Sequence, residues 1–435
     1  MPTAAWTEKE IIHLLNRAGF GASELEIEVC LSYGKEETVN RLITGTPLTI
    51  QQAPLSKLQD IILDGKNLTV ESLADQQCYW FYRMLNTGAP LIEKMALFWH
   101  DHFATSINKV GKATLMARQI DLFREHALGS FHDLLLAVGN DPAMMIWLDA
   151  AQNRKGSPNE NYAREVMELF TLGRGNYTEP DVREAARSFT GWRYDSKNDQ
   201  VIFDQKQHDD GQKTVLGKQG NFDAEDMTDL LLSQESYYTF IATKLLQTFV
   251  HETPSAFWID RTVAQFKKSH SIGDVLSSIF LSNEFYQESL RHCIIKSPVD
   301  YVVTIIKALD LPLSKSLANF TKSMGQELFN PPNVSGWEGD SSWLMTSYML
   351  SRHQFAEWAS KSVDKDWFNV NISNTGKISI EDRIKRWSTL LSIDPISEVT
   401  LKGLVQFGEK SLVQTNGNLR LALQLLLMSP ECQLK

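Results

Sequence analysis

Apolar residues recur at helical spacing through most of the chain. The first segment begins at Thr7, a candidate N-cap with Glu10 three residues later, and Ile11, Leu14 and Leu15 follow on one face. Further amphipathic segments of ordinary helix length are separated by short polar connections. They cover residues 35–44, 71–86, 90–104, 112–127, 130–138, 159–172, 179–189, 223–233, 235–249, 255–268, 272–281, 298–309, 314–328, 342–358, 380–391, 396–410 and 417–429. The pattern predicts a mainly α protein with a large multi-helix, bundle-like domain.

The stretch at 191–220 breaks the helical pattern. It contains short runs of β-favouring residues, such as Val201-Ile202-Phe203, flanked by Asp, Asn and Gly. We therefore expect a small β-hairpin or a three-stranded insert near the middle of the chain. The predicted organisation is a main helical domain over 1–358, which carries this insert, and a C-terminal helical extension over 359–435.

Composition and charge exclude several classes of protein. The chain has 435 residues with 43 Lys and Arg against 53 Asp and Glu, a formal net charge of −10. This acidic balance argues against a nucleic-acid partner, which requires a basic surface. No apolar run reaches the roughly 18 residues of a transmembrane helix. The N-terminus shows no basic start followed by an apolar segment, so we expect a cytoplasmic protein, or an exported one whose signal has been removed.

Two histidines near the end of the segment at 90–104 are the first candidates for chemistry. At about 100° per residue, His102 shares a stripe with Met95 and Phe98, whereas His100 lies nearly opposite. One interpretation makes His102 an inward metal ligand or acid–base group, joined by His100. The alternative is a core histidine that donates to a carbonyl, with His100 on the surface.

The segment at 159–172 carries oxygen-bearing side chains on one helical stripe. Asn161, Glu165 and Glu168 are spaced i, i+4 and i+7, and such a stripe suits a hard cation or a general base. Glu160, Arg164 and Glu168 are also spaced for helix salt bridges. In that alternative, the acidic face is solvated.

The predicted insert contains the third group of candidates. His208 and Asp209 are suited to a divalent metal, and Lys213 to an anionic group on a substrate. The alternative is a solvated polar turn. The string Gly211-Gln212-Lys213-Thr214 is no P-loop, because no Gly lies five residues before the Lys.

A rigid aromatic loop over 328–340 is the fourth candidate. It contains two prolines, two glycines and Trp337, whose ring is suited to stacking on a sugar or another flat ligand. Trp192, after Thr190-Gly191, allows the same interpretation. The alternative is that both rings fill gaps at the end of a helical bundle.

Several of these strings together resemble one bacterial family, called "domain of unknown function 1800". They lie in order at 14–21, 98–103, 159–173, 189–192, 208–217, 296–299 and 331–337. The resemblance spans roughly residues 7–358 and implies no established activity. Members often carry an export signal and are often encoded beside a sulfatase- or phosphatase-like exported protein. The resemblance therefore implies such a protein as a partner, although this chain shows no signal.

The first functional hypothesis is an enzyme with a site where two helices meet the insert. A divalent metal, whose identity among Zn, Mn, Fe, Mg and Ca is open, would activate water for hydrolysis or transfer. Its predicted metal ligands are His102, His208, Asp209 and His100. The predicted catalytic residues are Glu165, which also serves as a ligand, and Glu168, Lys213 and Arg164, the last two neutralising negative charge. The predicted substrate-binding residues are Asn161, Trp192 and Trp337.

The second hypothesis is a helical binding or assembly module that acts with the phosphatase- or sulfatase-like partner. The same strings then form interhelical salt bridges and aromatic plugs. Geometry distinguishes the two hypotheses, because an enzyme brings the polar strings into one cleft. A module satisfies them in separate places.

Overall fold

Helices dominate the computed structural model, which describes residues 6–49, 54–364, 367–370, 379–393, 396–411 and 417–435. The prediction of a mainly α fold is confirmed. The helices of the first half are α1 Glu8–Ala18, α2 Glu24–Thr44, α3 Leu73–Asn86, α4 Pro90–His102, α5 Ile107–Val110, α6 Ala113–Glu125, α7 Phe131–Gly139, α8 Pro142–Trp147, α9 Asn161–Glu165 and α10 Glu179–Ser188. Those of the second half are α11 Ala224–Leu232, α12 Glu235–Phe249, α13 Ala256–Ser269, α14 Ile272–Phe280, α15 Pro298–Ala308, α16 Ser316–Ser323, α17 Thr346–Ser362, α18 Trp367–Val370, α19 Ile380–Leu390, α20 Glu398–Ser411 and α21 Gly417–Leu427.

The strands form three separate antiparallel pairs in the described residues. They are β1 Ile62–Leu63 with β2 Lys66–Asn67, β3 Trp192–Asp195 with β4 Gln200–Phe203, and β5 Lys213–Val215 with β6 Lys218–Gly220. The insert at 191–220 is therefore two hairpins rather than one three-stranded sheet. A 3₁₀ turn at Gln205–Gln207 lies between β4 and β5, and the two pairs form separate sheets.

Where helix bounds differ from the periodicity, the backbone explains the difference. Helix α2 begins at Glu24 rather than near residue 35, and Gly34 (φ +78°) interrupts its helical geometry. The interruption at Gly34 breaks the regular spacing of apolar residues along α2, so the periodicity indicated only the half of the helix that follows it. The segment predicted at 159–172 is a short α-helix, α9, followed by a π-helix over Val166–Thr171.

One continuous hydrophobic core joins the described residues from Ile11 to Cys432. The C-terminal residues take part in it. The Tyr301 hydroxyl donates to the carbonyl of Leu427 (2.9 Å), and the Lys435 N–H donates to the carbonyl of Ile294 (2.8 Å). The domain boundary at 358/359 stays a prediction. No described helix is both long and apolar enough to cross a membrane.

Helix α4 lies in the centre of this core and is covered on nearly every side. Even Glu93 is fully buried, and its carboxylate is compensated by Arg83 (2.6 Å), Arg124 (3.0 Å) and the indole N–H of Trp80 (3.1 Å). Buried polar groups of this kind require such partners. The C-terminal turn of α4 therefore presents its polar residues inside the protein.

Candidate functional site

A central cleft of about 310 Å³ opens beside the C-terminal half of α4. Helix α12, the start of α15 and the loop at 335–343 form its other walls. Its charged lining comes from five parts of the chain and comprises Lys94, Asp101, Lys244, Asp300, Glu338, Asp340 and Lys435. A concave site with convergent polar groups is the usual form of a small-molecule site.

The last turn of α4 fixes the aromatic loop that walls this cleft. His100 accepts a hydrogen bond from the backbone N–H of Phe329 through Nε2 (3.1 Å). Asp101 accepts one from the backbone N–H of Trp337 through Oδ1 (2.8 Å). The two contacts hold both ends of the loop, so the indole of Trp337 packs edge-on against His100 and lines the cleft.

Gly336 allows the loop to approach Asp101 this closely. Its φ is +85°, a conformation that residues with a side chain rarely adopt. A Cβ at this position would lie 2.3 Å from Oδ1 and 2.6 Å from the backbone oxygen of Asp101. A glycine at position 336 is therefore needed for the loop to pack against Asp101 and form this wall of the cleft.

Asp101 has the electrostatics of a proton-transfer group. Burial raises the pKa of its carboxyl to about 6, although the N–H of Trp337 and the charge of Lys244 both favour the ionised form. Burial also lowers the pKa of Lys244, which lines the same cleft. In the described part of the chain, Lys244 forms no ion pair, and the charge of Asp101 acts on it without direct contact. The cleft thus brings together an acid and an amine whose pKa values are shifted towards neutrality.

Lys94, Asp300 and Lys435 form the floor of the cleft. Asp300 pairs with Lys94 through Oδ1 and with Lys435 through Oδ2 (2.5 Å), and all three are nearly inaccessible to solvent. Burial alone would raise the pKa of Asp300, but the ammonium groups of Lys435 and Lys94 outweigh it and lower this pKa. Burial lowers the pKa of Lys94 to about 7, despite Asp300.

Both candidate histidines of α4 are buried and neutral. Burial lowers the pKa of His100 to about 3 and that of His102 well below its ordinary value. His102 donates through Nε2 to the carbonyl of Phe170 (3.1 Å), the contact that the core-histidine interpretation predicts. The expected surface position of His100 in that interpretation is wrong, because the loop at 328–340 covers this side of α4.

The candidates of the insert are engaged within the insert and its neighbours. His208 contacts the carbonyl of Thr190 through Nδ1 (3.0 Å), and Asp209 accepts from Arg187 (2.8 and 3.2 Å). This guanidinium lowers the pKa of Asp209 to about 2. Lys213 is buried and donates through Nζ to the carbonyl of Phe222 (2.7 Å).

The acidic stripe at 161–168 is a partly solvated surface with local ion pairs. Arg164 pairs with Glu179 (2.8 Å), and Glu168 pairs with Arg174 (2.7 Å). Burial, together with the charge of Glu168, raises the pKa of Glu165. Asn161 is exposed.

Trp192 lies apart from Trp337. Trp337 lines the central cleft together with His102, whereas Trp192 lines a small apolar cavity together with Tyr162 and Phe189. The two rings predicted to bind substrate are therefore divided between two cavities.

The structure does not gather the predicted metal ligands into one centre. Among the described residues, no group of three or more His, Cys, Asp or Glu side chains is arranged to hold a metal ion. The ligand set His102, His208, Asp209 and Glu165, with His100 beside it, therefore stays a prediction, and these side chains do not form one cluster in the described residues. The reason is that His102 and Asp209 already serve local partners, the Phe170 carbonyl and the Arg187 guanidinium.

Sequence reasoning missed the charged residues that do meet. Asp101 stands between the two candidate histidines, and Asp300 follows the Lys296-Ser297-Pro298-Val299 string, so both adjoin strings already singled out. Lys94 and Lys244 lie in ordinary amphipathic helices and carry no local signal.

Comparison with known proteins identifies a family and gives no activity. The family described as "Protein of unknown function (DUF1800)" matches residues 13–434, nearly the whole chain and further than the expected end near 358. No curated protein and no solved structure matches the chain. The chain belongs to the DUF1800 family.

Proposed function

We propose that this member of the DUF1800 family is a hydrolase or transferase that acts in the central cleft, with Asp101 as its general acid–base. One observation carries the proposal. A carboxyl with a pKa raised to about 6 lines a cleft of about 310 Å³ together with an amine that has no described carboxylate partner, Lys244. General acid–base catalysis works best with groups whose pKa lies near the working pH.

The geometry of Asp101 suits proton transfer. Its Oδ1 is held by the N–H of Trp337, which fixes the orientation of the carboxylate. Oδ2 then takes a proton from the attacking water or hydroxyl group, and the ammonium group of Lys244 stabilises the negative charge that develops on the substrate. The protonated Asp101 returns its proton to the leaving group. Trp337 and Trp343, which both line the cleft, offer aromatic surface to the substrate.

The proposal is tested with chromogenic nitrophenyl esters, phosphates, sulfates and glycosides. Wild type is compared with Asp101→Asn and with the matched control Asp141→Asn. Burial raises the pKa of Asp141 to about 6 as well, but this residue caps α8 and does not line the cleft. We expect Asp101→Asn to lose about 10²–10⁴-fold in rate and Asp141→Asn to keep it. Turnover that survives Asp101→Asn contradicts the proposal, as does the absence of turnover across the panel.

The metal-dependent form of the enzyme hypothesis has its own test. Elemental analysis of protein purified without a metal resin is performed on wild type and on His208→Ala. Near-stoichiometric metal in the wild type that is lost in the variant supports the metal site of the insert. No metal in either protein, after supplementing the buffer, removes that form of the hypothesis and leaves the Asp101 proposal intact.

A binding or assembly module is the second candidate, and the surface salt bridges favour it. The Arg164–Glu179 and Arg187–Asp209 pairs satisfy the conspicuous side chains in separate places, as a module requires. The predicted partner is a phosphatase- or sulfatase-like protein. Co-elution of that protein with both wild type and Asp101→Asn, without turnover by either, supports the module; its absence contradicts it.

A further inference from the structure

The floor of the central cleft has an excess of buried positive charge. Asp300 is the carboxylate that pairs with Lys94 and Lys435, so the three side chains together carry one net positive charge when both lysines are protonated. Lys296 and Arg352 are also almost completely buried and act on one another and on Asp300 electrostatically. Buried cations are costly without anionic partners.

A neutral hydrogen-bond donor faces the same space. Gln326 is 4% exposed, and its Oε1 accepts a hydrogen bond from the backbone N–H of Val299 (2.9 Å). Its amide group has no hydrogen-bond acceptor among the described residues, and Gln326 lines the cleft. An amide donor that lines the same cleft as two ammonium groups can join them in recognising the oxygens of an anion.

The cleft has room for such an anion on a larger molecule. About 310 Å³ is at the lower end of the range for small-molecule sites. The deeply buried floor lies below a rim that includes the exposed Glu338 and Asp340. The acidic rim repels an anionic group and the basic floor attracts it. A bound molecule with one anionic end would therefore place that end at the floor.

We propose that the floor formed by Lys94, Asp300 and Lys435 binds an oxyanion group of the substrate, such as a phosphate or a sulfate. The two ammonium groups and the Gln326 amide donate to the oxyanion, and Asp300 keeps the lysines in place. This inference names the substrate class of the proposed enzyme and so rests on the proposed function. It orients the substrate, with its anionic end at the floor and its reacting bond towards Asp101.

Isothermal titration calorimetry with inorganic phosphate, sulfate and acetate, at constant ionic strength in chloride, tests the inference. The variants are Lys94→Met and Lys435→Met, and the control is Lys402→Met, whose side chain is 73% exposed and pairs with Glu398. We expect saturable binding of phosphate or sulfate to the wild type and to Lys402→Met. Each floor variant weakens it about tenfold or more, the loss expected for a charged hydrogen bond.

A third variant, for which the expected change in oxyanion affinity has the opposite sign, keeps the inference falsifiable if a lysine variant fails to fold. Asp300→Asn removes the one negative charge of the floor, so oxyanion binding is strengthened, and unchanged or weakened binding in this variant would contradict the inference. A purely structural role for the three side chains would not produce this gain. The acetate arm distinguishes a carboxylate from a phosphate or sulfate as the preferred group.

The outcomes separate this inference from the proposed function. Equal binding of phosphate and sulfate by wild type, Lys94→Met and Lys435→Met overturns the oxyanion site, even if turnover depends on Asp101. Lysine-dependent oxyanion binding together with turnover that survives Asp101→Asn keeps the oxyanion site and overturns the proposed catalytic role.

Discussion

The β insert and the central cleft hold the same kinds of side chain and use them differently. In the insert, Asp209 pairs with Arg187, which lowers the pKa of the carboxyl to about 2. In the cleft, burial raises the pKa of Asp101 to about 6, and no ion pair opposes it in the described residues. A paired carboxylate stabilises the fold and stays ionised. A carboxyl that is buried beside a cavity and forms no ion pair can exchange a proton near neutral pH.

The largest expected difference between the two regions is in catalytic rate. Asp101→Asn lowers kcat/KM by about 10²–10⁴-fold, because an amide cannot accept the proton. Asp209→Asn leaves the rate within about twofold but lowers the free energy of unfolding by about 1–2 kcal/mol, because it weakens a charged hydrogen-bond pair. Rate assays and urea unfolding of both variants check this. A rate lost in Asp209→Asn would move the chemistry to the insert.

A pair of glycine variants tests how the cleft is built. Gly336→Ala lowers the free energy of unfolding by about 2–4 kcal/mol, because the new Cβ meets both the side chain and the backbone of Asp101. Gly339→Ala costs only about 1 kcal/mol, since φ is +71° there but no atom lies within 4 Å of the new Cβ. Urea denaturation measures both. Equal losses would mean that the loop does not lie against Asp101.

The pH dependence of stability distinguishes the two carboxyl groups by sign. The folded-state pKa of Asp101 lies above its ordinary value of 3.8, so the folded protein holds the proton more tightly and loses stability as pH rises from about 4 to about 6. Relative to wild type, Asp101→Asn therefore gains about 1–2 kcal/mol of unfolding free energy between pH 4 and pH 7, a figure reduced for partial exposure.

Asp209 behaves in the opposite way. Its folded-state pKa is depressed to about 2, so its contribution is present above pH 3.8 and is lost as pH falls towards 2. Chemical denaturation of wild type and both variants between pH 3 and pH 7 measures the two slopes. Parallel slopes for the two variants would contradict the assignment.

The smallest expected effect is at the exposed end of the insert. Lys155 and Asp210 form an ion pair with side chains that are 50% and 63% exposed. Asp210→Asn therefore changes neither the thermal midpoint nor the rate measurably, because solvent screens such pairs. A clear loss of rate in this variant would show that the insert takes part in the chemistry.

The fold was largely predictable because helical periodicity is local information. Helix α12 begins and ends where the apolar spacing places it, and α4 starts at Pro90, a residue suited to the first helical turn. The prediction weakened where the backbone departs from regular geometry, as at Gly34 in α2 and in the π-helix at Val166–Thr171.

The candidate site was predictable only in part, because its contacts join distant positions. Asp101 and Trp337 are 236 residues apart, and Lys94 and Asp300 are 206 apart. Trp337 was found as a conspicuous loop aromatic. Asp101 was missed because helical spacing predicts on which face of α4 a residue lies but not which part of the chain packs against that face. The insert attracted attention because its polar residues are adjacent in sequence, but each of them has a separate local partner: His208 contacts Thr190, Asp209 pairs with Arg187, and Lys213 donates to Phe222.

The titration of Asp101 tests the central claim most directly. Carbon-13 NMR of aspartate-labelled protein, with Asp101→Asn to identify the resonance, follows this carboxyl between pH 3 and pH 8. The account predicts a midpoint near 6, well above that of Asp209. A midpoint at or below 4 would show that Asp101 is an ordinary ionised carboxylate and would contradict its role as the acid–base group of the cleft.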